Sequence, residues 1–142
     1  MRGVTYIEIL IVVAIIVLLA GTTLPAYRVF VTSNVLSSVR YETTQNMHLA
    51  QTKAINQENN SSFGLYFESN QYTFFQGNSY AARNSTYDRI MTIATNIVLS
   101  GMSEIVFNQK TGFPDSTGTL TITNISSGES ETISINSAGL IY

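Results

Sequence analysis

Glu8 is the side chain best placed to do chemistry, because of the segment that comes after it. The nineteen residues from Ile9 to Tyr27 carry no charge, so this carboxylate stands alone at the edge of a long apolar run. As a helix, a run of that length rises ~28 Å at ~1.5 Å per residue, close to the ~30 Å hydrocarbon core of a bilayer. A carboxylate at such a boundary is costly to desolvate and is a functional candidate by default. Gly3 lies five residues before it. With no side chain, a glycine lets a protease hold the scissile backbone closely in an extended form. Cleavage after Gly3 would create a cationic amine on Val4, four residues from Glu8 and on the same helical face. The two charges can pair within one chain or between neighbours. In lipid or a dry assembly an unpaired carboxylate is expensive, whereas a paired one fixes register. The plainer reading is a membrane anchor whose Glu8 snorkels to the interface.

Other chemistry is sparse. His48 is the single histidine, cysteine is absent, and no acid lies at ligand spacing on the His48 helix face. A metal site needs several such donors, so a partly exposed helical histidine is the expectation. No GxSxG segment and no nucleophile beside a base is present, which argues against an exported enzyme. Asp115-Ser116-Thr117-Gly118 offers one acid, suited to a turn rather than a calcium loop. Seven Lys and Arg against nine Asp and Glu give a formal charge of −2 with no basic cluster, so nucleic-acid binding has no electrostatic footprint. No metal or cofactor is expected. The aromatic series Phe63, Tyr66, Phe67, Tyr72, Phe74 and Phe75 is read first as sheet core and cross-strand pairs. A binding platform on a membrane-anchored extracytoplasmic module is the rival reading.

These residues need elements to position them. The apolar run is longer than the ordinary core of a secretory signal peptide, its leader is only three residues, and no convincing cleavage pattern ends it. It reads instead as the first half of a long helix. Pro25 lacks an amide proton and crowds the carbonyl of Gly21, itself a poor helix former, so the pair should kink or locally melt the helix. A helix end at Leu24 is the alternative. Beyond Tyr27, Val31, Val35, Leu36, Val39, Met47, Ala50 and Ala54 recur at helical intervals, with Ile55 alongside, while Arg28, Ser38, Glu42, Thr43 and Lys53 fall mostly elsewhere. That is an amphipathic second half, ended by the polar stretch 57–62.

The period then becomes two. Residues 63–67 and 72–75 flank a Glu68–Gln71 turn as a hairpin. Residues 77–88 read as an exposed loop. A strand pair is expected around Ile90 to Leu99 and Glu104 to Asn108, broken at Ser100-Gly101. Residues 120–123 and 132–136 form a second hairpin across Ser126–Glu129, and 138–142 supply a last short strand. The expected fold is α+β: a long N-terminal helix, membrane-spanning in its first half and amphipathic in its second, packed on an antiparallel sheet. The predicted segments are 1–3 as leader, 4–27 as apolar helix, 28–57 as amphipathic helix and 58–142 as sheet domain.

The coincidence of Gly3, Glu8 at the fifth position after it, a charge-free run and Pro25 resembles the class III signal of type IV pilins and pseudopilins. Val4 stands where that family usually has Phe. The segment Leu49–Ile55, then Ile105-Val106-Phe107, Gly112-Phe113-Pro114, Gly118–Thr121 and Ile133–Ile141 are similar to H-type minor pseudopilins and the related FimT-like pilins. Leu140 replaces a basic residue that many of those relatives carry.

The resemblance implies a pilin-like structural subunit, not an enzyme. It implies cutting between Gly3 and Val4, N-methylation of Val4, and pairing of Glu8 with the amine of an adjacent subunit. Implied partners are other pilin or pseudopilin subunits, a prepilin peptidase/N-methyltransferase and an inner-membrane assembly platform. The implied location is a single pass of the bacterial cytoplasmic membrane with the sheet domain outside, then a filament. Arg2 fits that orientation under the positive-inside rule.

Overall fold

The computed structural model describes residues 4–142, with side chains at 4–21 and 34–142. Gly3 lies outside the described residues, as do the side chains of Pro25 and Val31. One helix, α1 (Tyr6–Ile55), is followed by seven strands: β1 (Phe63–Phe67), β2 (Gln71–Gln76), β3 (Arg89–Thr92), β4 (Ile97–Gly101), β5 (Glu104–Phe107), β6 (Gly118–Asn124) and β7 (Ser130–Ile135). Two compact units emerge, Met1–Asn34 and Val35–Tyr142. The helix continues past Leu24, so it does not end before the proline. Among the described residues no helix is long and apolar enough to cross a membrane. The continuous run of described side chains in the first unit is 4–21, short of the ~20 apolar residues a bilayer core requires.

In the second unit the helix buries Leu36, Thr43, Met47, Ala50 and Ala54, with Val35 and Val39 partly covered. Those positions step by three, four or seven residues, one face of a 3.6-residue period. One expectation needed correction: Thr43 belongs to the buried face, since spacing outweighs its hydroxyl. Ile55, alongside the stripe, is 47% exposed because it lies off that face. Beyond Ile55 the chain turns through Gln57 with φ of 53°, and Lys110 N donates to the helix-end carbonyl of Ala54 at 3.0 Å.

The strands form two antiparallel sheets, ordered β3-β2-β1-β5 and β4-β6-β7. The β1–β2 and β6–β7 hairpins stand where the alternating patterns put them. The core is apolar, with Leu65, Ile97, Ile105, Phe107, Leu120, Ile122 and Ile133 all fully buried. Residues 90–99 are not one strand: β3 pairs β2 in the first sheet, while β4 pairs β6 in the second. Nor does β5 pair with β4; it lies along β1. Gly101, at φ +94°, makes the change of sheet possible, because a Cβ there would sit 2.5 Å from the Thr119 carbonyl oxygen. The C-terminal stretch is no ladder strand either. Asn136 turns the chain so that only Ile141 bridges back to Ile135.

Residues 77–88 are more than a loose loop. They lay Tyr80 on the outer face of the first sheet, stacked on Tyr66 at 3.9 Å and edge-on to Phe75 at 5.7 Å. Tyr80 N donates to Glu104 Oε1 at 2.6 Å, and the Arg83 guanidinium lies 3.7 Å from the Tyr80 ring centroid. That guanidinium also donates to Asp88 Oδ2 at 2.7 Å, a bond that raises the basicity of Arg83 further.

Candidate functional site

At the start of α1 the helix breaks no local rule. Thr5 precedes the first turn, and Glu8 reaches back so that its Oε2 accepts from both Thr5 N and Thr5 Oγ1, each at 2.9 Å. Glu8 N in turn donates to the Thr5 carbonyl at 3.1 Å. This resembles a capping box, and it puts negative charge at the positive end of the helix dipole. The carboxylate therefore leans over the backbone next to Val4, where cleavage would place an amine. A shallow groove of about 300 Å³ lies along this turn, lined by Val4, Glu8, Ile9, Val12 and Val13.

Beyond Glu8, residues 9–20 are apolar on every side. Each large apolar side chain from Val4 to Leu19 is at least 50% exposed. A helix apolar all round is stable only when something else surrounds it, whether lipid or other protein. Nothing lies within 4 Å of where a side chain at Gly21 would start, so packing among the described residues does not require a glycine there.

A second cluster, in the sheet unit, joins three of the segments singled out by sequence. Gln51, from the Leu49–Ile55 stretch, donates through Nε2 to Gly112 O at 3.1 Å and to Gly139 O at 3.0 Å. One amide thus staples the Gly112-Phe113-Pro114 loop and the C-terminal turn to α1. Both glycines are compelled. Gly112 and Gly139 have φ of +66° and +78°, and a Cβ on them would meet Ile55 Cγ1 at 2.4 Å and Gln51 Nε2 at 2.6 Å. No pairwise spacing in the sequence announces this bridge, because its members lie 61 and 88 residues apart.

The remaining candidates resolve simply. Phe63, Phe67, Tyr72 and Phe74 are buried in the core rather than forming a platform, while on the outer face Phe75 is buried and Tyr66 covered in part, both against Tyr80. His48 is exposed on α1. Asp115 is a turn residue that also holds the neighbouring strand: its Oδ1 accepts from Val106 N at 3.1 Å while its own N–H donates to Val106 O at 2.9 Å. Burial, with the Glu42 charge nearby, pushes the Tyr72 phenol up to about 12, and Asn46 Nδ2 donates to its oxygen at 2.9 Å.

No family model and no curated protein matches the chain. Among solved structures it is similar to the minor pseudopilin EpsH from the Type 2 Secretion System of Vibrio cholerae, at 15% identity and a TM-score of 0.59. The match covers 75% of this chain and 94% of that one. The likeness is one of fold: in the second unit the latter half of α1 packs on antiparallel sheets, as in that structure.

Proposed function

We propose that this chain is a structural subunit, a minor pilin or H-type pseudopilin, of a type IV pilus or type II secretion-like filament. The observation that carries this reading is the apolar stretch 4–19, uncovered on every side and bearing Glu8 as its one charge. Before assembly, residues 4–27 span the cytoplasmic membrane with the sheet unit outside. A prepilin peptidase cuts after Gly3 and methylates Val4. The assembly platform then lifts the subunit into a filament, where helices of other subunits replace lipid around the apolar surface. Glu8 exchanges its bonds to Thr5 for the amine of a neighbouring subunit, and Gly21 with Pro25 supplies the bend that close helix packing demands. The sheet unit forms the outer surface.

The test is a mass measurement joined to an assembly assay. Protein purified from cells containing the peptidase should begin at methylated Val4. The Glu8→Gln variant should be processed and membrane-inserted but absent from sheared filaments. An intact Met1, or Glu8→Gln subunits polymerising as readily as the parent, refutes the reading.

A further inference from the structure

An antiparallel ladder exposes alternate backbone groups along each sheet edge, and a fold must dispose of them. Three of the four edges here are occupied. On β5, Val106 exchanges hydrogen bonds with Asp115. On β7, Ser134 exchanges two with Tyr142, and Thr132 O accepts from Arg40 Nε at 3.1 Å. On β4, Leu99 N donates to Ser69 O at 2.8 Å. The edge of β3 differs. The bond from Ile93 N to Asn70 O fixes the ladder parity, so Arg89 and Met91 bond inward to β2 while Ile90 and Thr92 point outward. Among the described residues no hydrogen bond reaches those outward groups, and Ile90 is 63% exposed.

The charges around this edge are unbalanced. Lys53 is paired with Glu58 and Arg83 with Asp88, whereas Arg89 makes no ion pair among the described residues. Arg89 lies opposite Phe74 on the core-side face of the sheet, at the rim of a cavity of about 310 Å³ lined by Lys53, Glu58, Phe63, Phe74 and Thr86. A strand added outside β3 would set one side chain against Ile90 on the outer face, and two against Arg89 and Met91 on the other.

We propose that the β3 edge docks an extended segment of a different protein, added as an antiparallel strand with a carboxylate opposite Arg89 and apolar residues opposite Ile90 and Met91. Backbone bonds to Ile90 and Thr92 supply affinity, and the Arg89–carboxylate pair supplies register. A second copy of this chain is a poor occupant. Its strands that combine an acid with apolar neighbours, Glu104–Phe107 and Ser130–Ile135, are already paired within the fold. The surface lies within the sheet unit and is independent of cleavage at Gly3.

The probe is an end-capped fluorescent peptide in which threonines flank a central valine-valine-glutamate, titrated against the full chain in detergent micelles. Saturable binding is expected, weakened at least about tenfold when lysine replaces the glutamate. Ile90→Pro removes only an outward N–H and should abolish binding while leaving the circular dichroism spectrum unchanged. Arg89→Glu should invert the preference toward the lysine peptide, a readout that holds even if the proline variant misfolds. Absence of saturation by about 1 mM peptide overturns the proposal and leaves Arg89 as a charge that merely guards an edge. Equal affinity for both peptides overturns it too, as does self-association of the chain that Ile90→Pro removes.

Discussion

Replacing Gln51 tests whether one amide holds two distant loops on the helix. Its Nε2 donates to Gly112 O and Gly139 O at 3.1 and 3.0 Å, and both bonds are partly buried. In Gln51→Leu each lost bond costs about 1 kcal/mol net, and the two stranded carbonyls bring the total to about 2–3 kcal/mol. For a cooperative unit near 100 residues, that lowers Tm by about 8–15 °C. Gln51→Glu is the sharper probe. At neutral pH it sets a carboxylate against two carbonyl oxygens and removes both donors, so it should be less stable than Gln51→Leu. Those carbonyls disfavour the charged form, so the introduced carboxyl has a folded pKa above its unfolded value of about 4.3. Stability is then lost as pH rises through that folded pKa and regained on acidification, when the acid has an O–H to donate. Thermal melts of parent and variants between pH 4 and 7, with hydrogen exchange at the Gly112 and Gly139 amides, measure the effect. A Gln51→Leu melt within about 2 °C of the parent would refute the reasoning, because the staple would then carry no net stability.

Gly64→Ala should cost about 3 kcal/mol or more in a denaturant titration, since its new methyl would lie 2.5 Å from the Ile105 carbonyl oxygen and 2.7 Å from Phe75 Cζ. The folded protein holds the Tyr72 phenol at about 12, against 10.0 for an ordinary tyrosine, so the unfolded chain releases this proton first. The contribution is intact below pH 10 and is lost as pH climbs from there to 12, about 2 kcal/mol in all; Tyr72→Phe should flatten that alkaline limb in urea titrations. Ile15→Lys places a charge within the apolar helix at about 3 kcal/mol for the inserted state, so carbonate extraction should release the variant while the parent stays with the membrane fraction.

Local periodicity made much of this molecule legible. The apolar run, the stripe through Met47, Ala50 and Ala54 and the two hairpins are patterns written in neighbouring residues, and α1, β1–β2 and β6–β7 lie where those patterns put them. Glu8 is conspicuous in the sequence as a lone acid beside a charge-free run, and the structure adds its two bonds to Thr5. Thr43 was misread because residue type was weighed above spacing, although helical geometry decides which face a position occupies.

The amino-acid sequence by itself determined the helix, the strands of the two hairpins and the acid at the helix start, because each depends on contacts within a few residues. Tertiary structure alone decided that β3 and β4 part into different sheets, that β5 lies beside β1 and that Gln51 reaches Gly112 and Gly139. Alternating residues announce a strand but carry no address for its partner. That choice follows from which apolar faces can close one core, and from where Gly101 lets the backbone turn.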